Sequence, residues 1–61
     1  SFFNKASVLQ ALEEIPENST VIIDCTKSKS IAHDVIELIV NYRTNAKTKN
    51  IQVETVNFIE P

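Results

Sequence analysis

The sequence predicts an α/β fold with the element order β-α-β-α-β, in which helices pack on a mostly parallel sheet. Three observations predict it. Segments of β-branched and apolar residues alternate along the chain with segments whose apolar residues recur at helical spacing. Clusters of turn residues separate these segments. Strands joined through helices are usually parallel, so the alternation indicates a parallel sheet within a single domain of 61 residues.

The first half of the chain predicts a strand end at residues 1–4, a helix over 5–15 and a strand over 20–25. Asn4 is the expected N-cap of the helix, because its side chain can accept from an unpaired backbone N–H. Pro16 ends this helix, since the residue before a proline disfavours the helical conformation. The apolar face of the helix comprises Val8, Leu9, Leu12 and Ile15.

The strand over 20–25 contains three consecutive β-branched residues, Val21, Ile22 and Ile23. Such a run is typical of a central parallel strand that is buried on both faces. With this strand at the centre of the sheet, the two crossovers run in opposite directions. We therefore expect the two helices to cover opposite faces of the sheet.

The second half predicts a loop over 26–30, a helix over 31–47 with Ser30 as its N-cap, and an edge strand over 51–59. The apolar stripe of this helix comprises Ile31, Val35, Leu38, Ile39, Tyr42 and Ala46. Two further apolar residues, Ile36 and Val40, lie away from the stripe. In the favoured interpretation, Ile36 lies at the core margin and Val40 is a tolerated exposed residue. In the alternative interpretation, both belong to a partner surface.

The composition excludes several functional classes. The chain has no Gly, so neither a P-loop nor a dinucleotide-binding glycine fingerprint is present. One Cys and one His argue against a disulfide framework and a metal cluster, and we expect no metal and no cofactor. The net charge of −2 with interspersed signs argues against nucleic acid as a partner. A chain so short, opening on Ser rather than Met, is expected to be a truncated domain, residues 1–61, of a longer protein.

The corner between the strand and the second helix is the candidate for chemistry, because open α/β sheets bind ligands at the carboxyl ends of their strands. Its loop offers hydroxyl and ammonium groups beside a helix start, which attracts anions. Because no Gly brings the backbone close to a phosphate, a solvated connector is favoured over an anion site. His33 is expected to act in surface electrostatics beside Glu37 rather than as a general base. Cys25 is expected to be a small buried hydrophobe rather than a reactive thiol.

Residues 20–58, "TVIIDCTKSKSIAHDVIELIVNYRTNAKTKNIQVETVNF", resemble the core of a STAS domain, the module shared by sulfate transporters and anti-sigma factor antagonists. The similarity consists of a strand that ends in Asp24, a polar loop, an apolar residue at Ile31, a helix and a further strand. The segment "SFFNK" resembles the "-FLNK-" segment of STAS domains carried by bacterial SulP-type anion transporters.

In regulatory STAS proteins the corner carries a hydroxyl that is phosphorylated, and alignment on Ile31 places Asp34 at that position. Ala32, His33 and Val35 stand where the regulatory pattern has Asp, a first hydroxyl and Gly. The transporter-type domain, with "DHDV"-like corners, is more similar. The resemblance therefore implies a STAS-like regulatory domain without enzymatic activity. A stand-alone anti-sigma factor antagonist is the alternative, and a fragment of an α/β enzyme is a third hypothesis.

The same resemblance implies where the domain works and what it binds. The parent protein would be an integral membrane transporter of sulfate, bicarbonate or a similar inorganic anion, with this domain at the cytoplasmic face of the inner membrane. The implied partners are the transmembrane domain of the same transporter or another subunit, a regulatory protein, and a second copy in a homodimer. The expected partner-binding residues are Thr26, Lys27, Ser28, Lys29, Ser30, Ala32, His33, Asp34, Glu37, Val40 and Asn41.

Overall fold

The computed structural model of the chain describes residues 4–60. Its elements in order are α1 (Lys5–Glu13), β1 (Thr20–Asp24), α2 (His33–Asn45), a short 3₁₀-helix (Ala46–Lys49) and β2 (Gln52–Val56). The predicted α/β class with helices packed on a parallel sheet is confirmed. The strand end predicted at residues 1–4 lies outside the described residues, except for Asn4, which precedes α1.

The two strands form a parallel pair, with α2 and the 3₁₀-helix as the crossover between them. The register pairs Thr20 with Gln52 at one end and Asp24 with Val56 at the other. A parallel pair needs a crossover of a dozen or more residues, and the helical segment supplies it. The carboxyl ends of both strands therefore meet at one edge, beside the start of α2.

Both helices cover the same face of the sheet, so the expectation that they cover opposite faces is wrong. Leu12 of α1 and two residues of α2, Val35 and Ile39, share one core cluster with Ile23 and Cys25 of the first strand segment. Side chains two residues apart in a strand lie on one face, which places Ile23 and Cys25 together beneath the helices. A single helix layer is sufficient because the described sheet has only two strands.

The other face of the sheet is open, which corrects two further predictions. Ile22 is 63% exposed, so β1 is not buried on both faces, and it has a strand neighbour on one side rather than two in the described part of the chain. Leu9 of α1 is 40% exposed rather than part of the buried face. Both side chains remain uncovered because no described element lies over them.

The helix boundaries follow the local capping chemistry. The Asn4 side chain accepts a hydrogen bond from the Ser7 N–H at 2.9 Å, so the predicted N-cap of α1 is confirmed. The predicted cap of the second helix is wrong. That helix begins at His33, and its N-cap is Ala32, whose carbonyl accepts from the backbone N–H groups of the first turn without any side-chain cap.

Asparagine takes the positions that glycine usually fills, which explains how a chain without Gly makes its turns. Asn18, Asn50 and Asn57 have positive φ of 62°, 54° and 54°. Among residues other than Gly, Asn adopts this left-handed conformation most readily. Asn50 ends the 3₁₀-helix, and Asn57 ends β2 before the predicted limit of residue 59.

Candidate functional site

A polar cluster lies at the carboxyl ends of the two strands. The Asp24 carboxylate accepts from the backbone N–H of Thr26 at 2.9 Å, which turns the chain sharply after β1. The hydroxyl of Thr26 in turn accepts from the side-chain amide of Asn57 at 2.8 Å, which follows β2. These bonds tie the end of β2 to the loop after β1. The loop therefore has a defined course over the sheet edge where α/β proteins place ligands.

Asp24 and Cys25, at the end of the β1 segment, have perturbed pKa values. Hydrogen bonds from Thr26 to the ionised carboxylate, with a smaller contribution from Lys27, hold the pKa of Asp24 below its usual value. Burial raises the pKa of the Cys25 thiol, and the neighbouring Asp24 raises it further. Cys25 is 2% exposed and packs in the core cluster, as expected for a small hydrophobe rather than a reactive thiol.

The first turn of α2 carries charged side chains on its exposed side. Asp34 lies in this turn, where a negative charge interacts favourably with the helix dipole. His33 Nε2 lies 3.7 Å from Glu37 Oε1, the i,i+4 pair that the sequence predicts. Both partners are exposed, so this pair contributes to the surface of α2 and little to its stability.

A groove runs along this exposed side of α2, which we call the α2 groove. It has a volume of about 320 Å³ and is lined by His33, Ile36, Glu37, Val40, Asn41 and Glu60. Two apolar side chains, Ile36 and Val40, are half-buried along it. They are therefore neither core residues nor freely exposed ones, and the groove combines an apolar wall with the Glu37 and Glu60 carboxylates.

The chain after β2 forms the far side of the groove. Phe58 packs against the core cluster, and the Glu60 carboxylate forms an ion pair with the Arg43 guanidinium of α2. Ile59, between these two attachments, is 82% exposed. The segment is thus attached to α2 by one apolar and one charged contact, and it carries Glu60 to a position beside Val40.

A second, smaller hollow adjoins the α2 groove, and Ile36 lines both. Its volume is about 230 Å³, and its lining comes from the loop after β1, the first part of α2 and the segment after β2. Among the predicted partner-binding residues it includes Ser28, Lys29 and Ser30. The loop and helix parts of the predicted surface therefore lie next to each other.

The structure brings together part of the predicted surface. Four predicted residues of α2, His33, Glu37, Val40 and Asn41, line the α2 groove, and three loop residues line the adjoining hollow. The remaining four lie outside both hollows: Thr26, Lys27, Ala32 and Asp34 are exposed at the rim of the corner or at the helix start.

Five residues that line the two hollows are not among the predicted partner-binding residues: Ile31, Ile36, Asn57, Ile59 and Glu60. Ile36 had a sequence signal, because it lies off the apolar stripe of the second helix. Asn57 had none, because the sequence predicts a strand that continues to residue 59, whereas β2 ends at Val56. Glu60 had none, because its proximity to α2 depends on the course of the chain after β2 rather than on any periodicity.

Comparisons with models of protein families, with curated proteins and with solved structures find no match for this chain. Among the described residues no helix has the length and apolar character needed to cross a membrane. Within residues 4–60 no cluster of three or more His, Cys, Asp or Glu side chains is arranged to hold a metal ion. The α2 groove and the adjoining hollow have apolar walls, and carboxylate, imidazole and amide groups lie around these walls.

Proposed function

We propose that the chain is a STAS-like regulatory and interaction domain of a SulP-type inorganic anion transporter, and that it docks on its partner through the α2 groove. In this proposal the domain lies at the cytoplasmic face of the membrane and performs no catalysis. The observation that carries the proposal is the groove itself, because it gathers four of the residues that the family resemblance implies for partner binding.

The chemistry of the groove favours a particular kind of partner segment. Val40 and Ile36 offer apolar contact area, and the exposed Glu37 carboxylate attracts a cationic side chain. Cytoplasmic loops of membrane proteins carry an excess of Lys and Arg. A short loop with one apolar and one basic residue from the transmembrane domain is therefore a fitting occupant.

The size of the groove sets the expected strength of docking. A volume of about 320 Å³ is at the lower end of the range for small-ligand pockets, about 300–1,000 Å³. It accommodates one or two side chains rather than a large interface. Contact of this size is typical of a weak, reversible association, which suits a regulatory domain that binds and releases its membrane partner.

The sequence that flanks this chain in its parent protein tests the transporter assignment. The proposal predicts several upstream apolar runs of about 20 residues each, the length that spans a bilayer. A parent protein without such runs would contradict the transporter assignment and would favour the alternative of a stand-alone anti-sigma factor antagonist.

The substitution Val40→Glu in the intact parent protein tests the docking role. It places a third carboxylate in the groove, so we expect altered anion uptake in vesicles or reduced binding between the domain and the membrane part. The isolated domain should stay folded, because Val40 is outside the core cluster. Thr44→Glu, on the same helix but outside the α2 groove, is the matched control. Equal uptake and binding for both variants would refute docking through this groove.

A further inference from the structure

A further hollow lies between the end of α2, the 3₁₀-helix and the start of β2, and we call it the β2 hollow. Its volume is about 340 Å³, and it is lined by Arg43, Thr44, Lys47, Ile51, Gln52 and Val53. Among these described residues two are cations and none is an acid, whereas the carboxylates of Glu37 and Glu60 line the α2 groove. The two hollows therefore suit side chains of opposite charge.

The two cations of the β2 hollow differ in whether they already have a partner. The Arg43 guanidinium forms an ion pair with the Glu60 carboxylate. Lys47 lies four residues further along the chain and is exposed, and no ion pair within residues 4–60 includes it. The hollow therefore presents one ammonium group that has no carboxylate partner in the described part of the chain.

The apolar part of the hollow belongs to the start of β2. Ile51 is buried, and Val53 packs against the core cluster. The Gln52 N–H donates to the Ser19 carbonyl at 2.8 Å, so the backbone of Gln52 faces β1. Successive residues of a strand direct their backbone groups to opposite edges, which turns the Val53 N–H to the side where β2 has no strand neighbour among residues 4–60. An occupant of the hollow would therefore meet an ammonium group, apolar side chains and one backbone donor.

The segment after β2 shows what kind of chain binds beside α2. Residues 57–60 form neither a helix nor a strand. Phe58 packs against the core cluster, and the carboxylate of Glu60, two residues later, binds Arg43. An apolar side chain and a carboxylate are thus bound together. The β2 hollow offers the same combination, a cation beside apolar side chains, four residues further along.

The lining of the β2 hollow argues against other anionic ligands. Nucleic acids and anionic membranes are bound by several cations at once, whereas Arg43 is already paired and leaves Lys47 as the cation available in the described lining. A free inorganic anion would leave the apolar side chains of Ile51 and Val53 without a contact. A peptide segment with one acidic and one apolar side chain uses both parts of the lining, and the hollow has the volume for both.

We propose that the β2 hollow is a second docking surface, which binds a partner segment carrying an acidic side chain two residues from an apolar one. The carboxylate binds the Lys47 ammonium, and the apolar side chain packs on Ile51 and Val53. A backbone carbonyl of the segment accepts from the Val53 N–H. The association is weak, since an exposed ion pair contributes little. This surface differs in place and in charge from the α2 groove, so the inference is independent of the proposed docking through α2.

Titration of the ¹⁵N-labelled 61-residue chain with the blocked peptide Val-Ser-Glu-Ser-Val, followed by NMR, tests the proposal. We expect saturable shifts at the amides of Lys47, Gln52 and Val53. The peptide Val-Ser-Gln-Ser-Val should bind about fivefold more weakly, the upper range for loss of an exposed ion pair. Lys47→Gln in the chain should weaken binding of the Glu peptide by a similar factor. Lys49→Gln, an equal change of charge on the same 3₁₀-helix but outside the hollow, should leave it unchanged.

The pair of peptides decides the proposal even where a variant does not fold. Equal binding of the two peptides to the unmodified chain would overturn it, because the carboxylate would then make no contribution. Equal effects of the Lys47 and Lys49 substitutions, or no saturable shift, would also overturn it and would leave the cations with only their favourable interaction with the end of α2. Sodium sulfate that alone reproduces the Lys47-dependent shifts would assign the hollow to a free anion. Shifts that arise on concentrating the chain without peptide would assign it to a second copy, and either result would contradict a partner segment.

Discussion

Replacing Asn50 with Ala tests the idea that asparagine substitutes for glycine in this chain. Asn50 has φ 54° at the end of the 3₁₀-helix. The Ile51 N–H donates to the Ala46 carbonyl at 3.0 Å, and the Asn50 N–H donates to the Lys47 carbonyl at 3.1 Å. This is the Schellman arrangement, in which a glycine normally provides the left-handed residue. Ala46 and Ile51, the apolar pair that accompanies the motif, are both buried.

Two contributions set the expected magnitude. A left-handed conformation costs an ordinary L-residue about 1–2 kcal/mol, and Asn tolerates it better than Ala does. The Asn50 side-chain amide also donates to the Asn18 side-chain oxygen at 2.8 Å, an exposed hydrogen bond that contributes at most about 0.5 kcal/mol. We therefore expect Asn50→Ala to lower the free energy of unfolding by about 1–1.5 kcal/mol. A single core of this size supplies about 3–5 kcal/mol, so the loss is a large fraction of the total.

Urea denaturation followed by far-UV circular dichroism measures this loss. Asn50→Gly is the matched variant, because it removes the same side-chain hydrogen bond and keeps the left-handed conformation accessible. We expect the free energy of unfolding of the Gly variant to lie within about 0.5 kcal/mol of that of the unmodified chain. In a thermal scan, the Ala variant should melt about 4–12 °C lower. Equal stabilities for the Ala and Gly variants would refute the argument, since the backbone conformation would then carry no cost.

The remaining predictions concern the core and the acid response. Ile39 is fully buried, so Ile39→Ala should cost about 2–5 kcal/mol and largely unfold the chain at 25 °C by circular dichroism. Ile59→Ala should change stability by less than about 0.5 kcal/mol, and comparable losses for both would contradict the assigned core. Asp24 has a lowered pKa when folded, so its stabilising contribution is present above the unfolded value of about 3.9 and is lost as pH falls through the folded value. Asp24→Asn should therefore reduce the loss of urea resistance between pH 7 and pH 2.5, and an unchanged loss would contradict the role of the Thr26 hydrogen bonds.

The sequence predicts the local elements of this fold well, for identifiable reasons. Val8 and Leu12 in the first helix, and Val35 and Ile39 in the second, are spaced four residues apart, as helical periodicity requires. Leu12, Val35 and Ile39 are buried in the structure. The Asn4 cap is a local interaction between residues three positions apart, so sequence alone is enough to predict it. The parallel pairing follows from the alternation of strands and helices.

The burial of individual strand residues could not be predicted in the same way, because it depends on whether helices cover one face of the sheet or both. Ile22 has the same β-branched character as Ile23, yet one is exposed and the other buried, because helices cover only one face of the described sheet. The start of α2 at His33 rather than Ile31 reflects the course of the preceding loop, which Asp24 and Asn57 hold through Thr26. No periodicity in the sequence reports these contacts.

The candidate site also has one part that the sequence predicts and another part that only the structure reveals. The exposed side of α2, with His33, Glu37, Val40 and Asn41, follows from helical geometry and was predicted. The groove beside it depends on Glu60, which lies 17 residues from its ion-pair partner Arg43. A contact at that separation is set by the tertiary path of the chain after β2, so only the structure reveals it.

Docking through the α2 groove is a proposal that a titration can test, in which the ¹⁵N-labelled domain is mixed with the membrane part of the proposed parent transporter in lipid nanodiscs. We expect NMR signal losses on titration to concentrate at four residues of the α2 groove, His33, Glu37, Val40 and Asn41. Glu37→Gln should weaken this binding, whereas Glu54→Gln, an equal change of charge at an exposed position of β2, should leave it unchanged. Signal losses confined to other surfaces, or equal effects of the two substitutions, would contradict docking through α2.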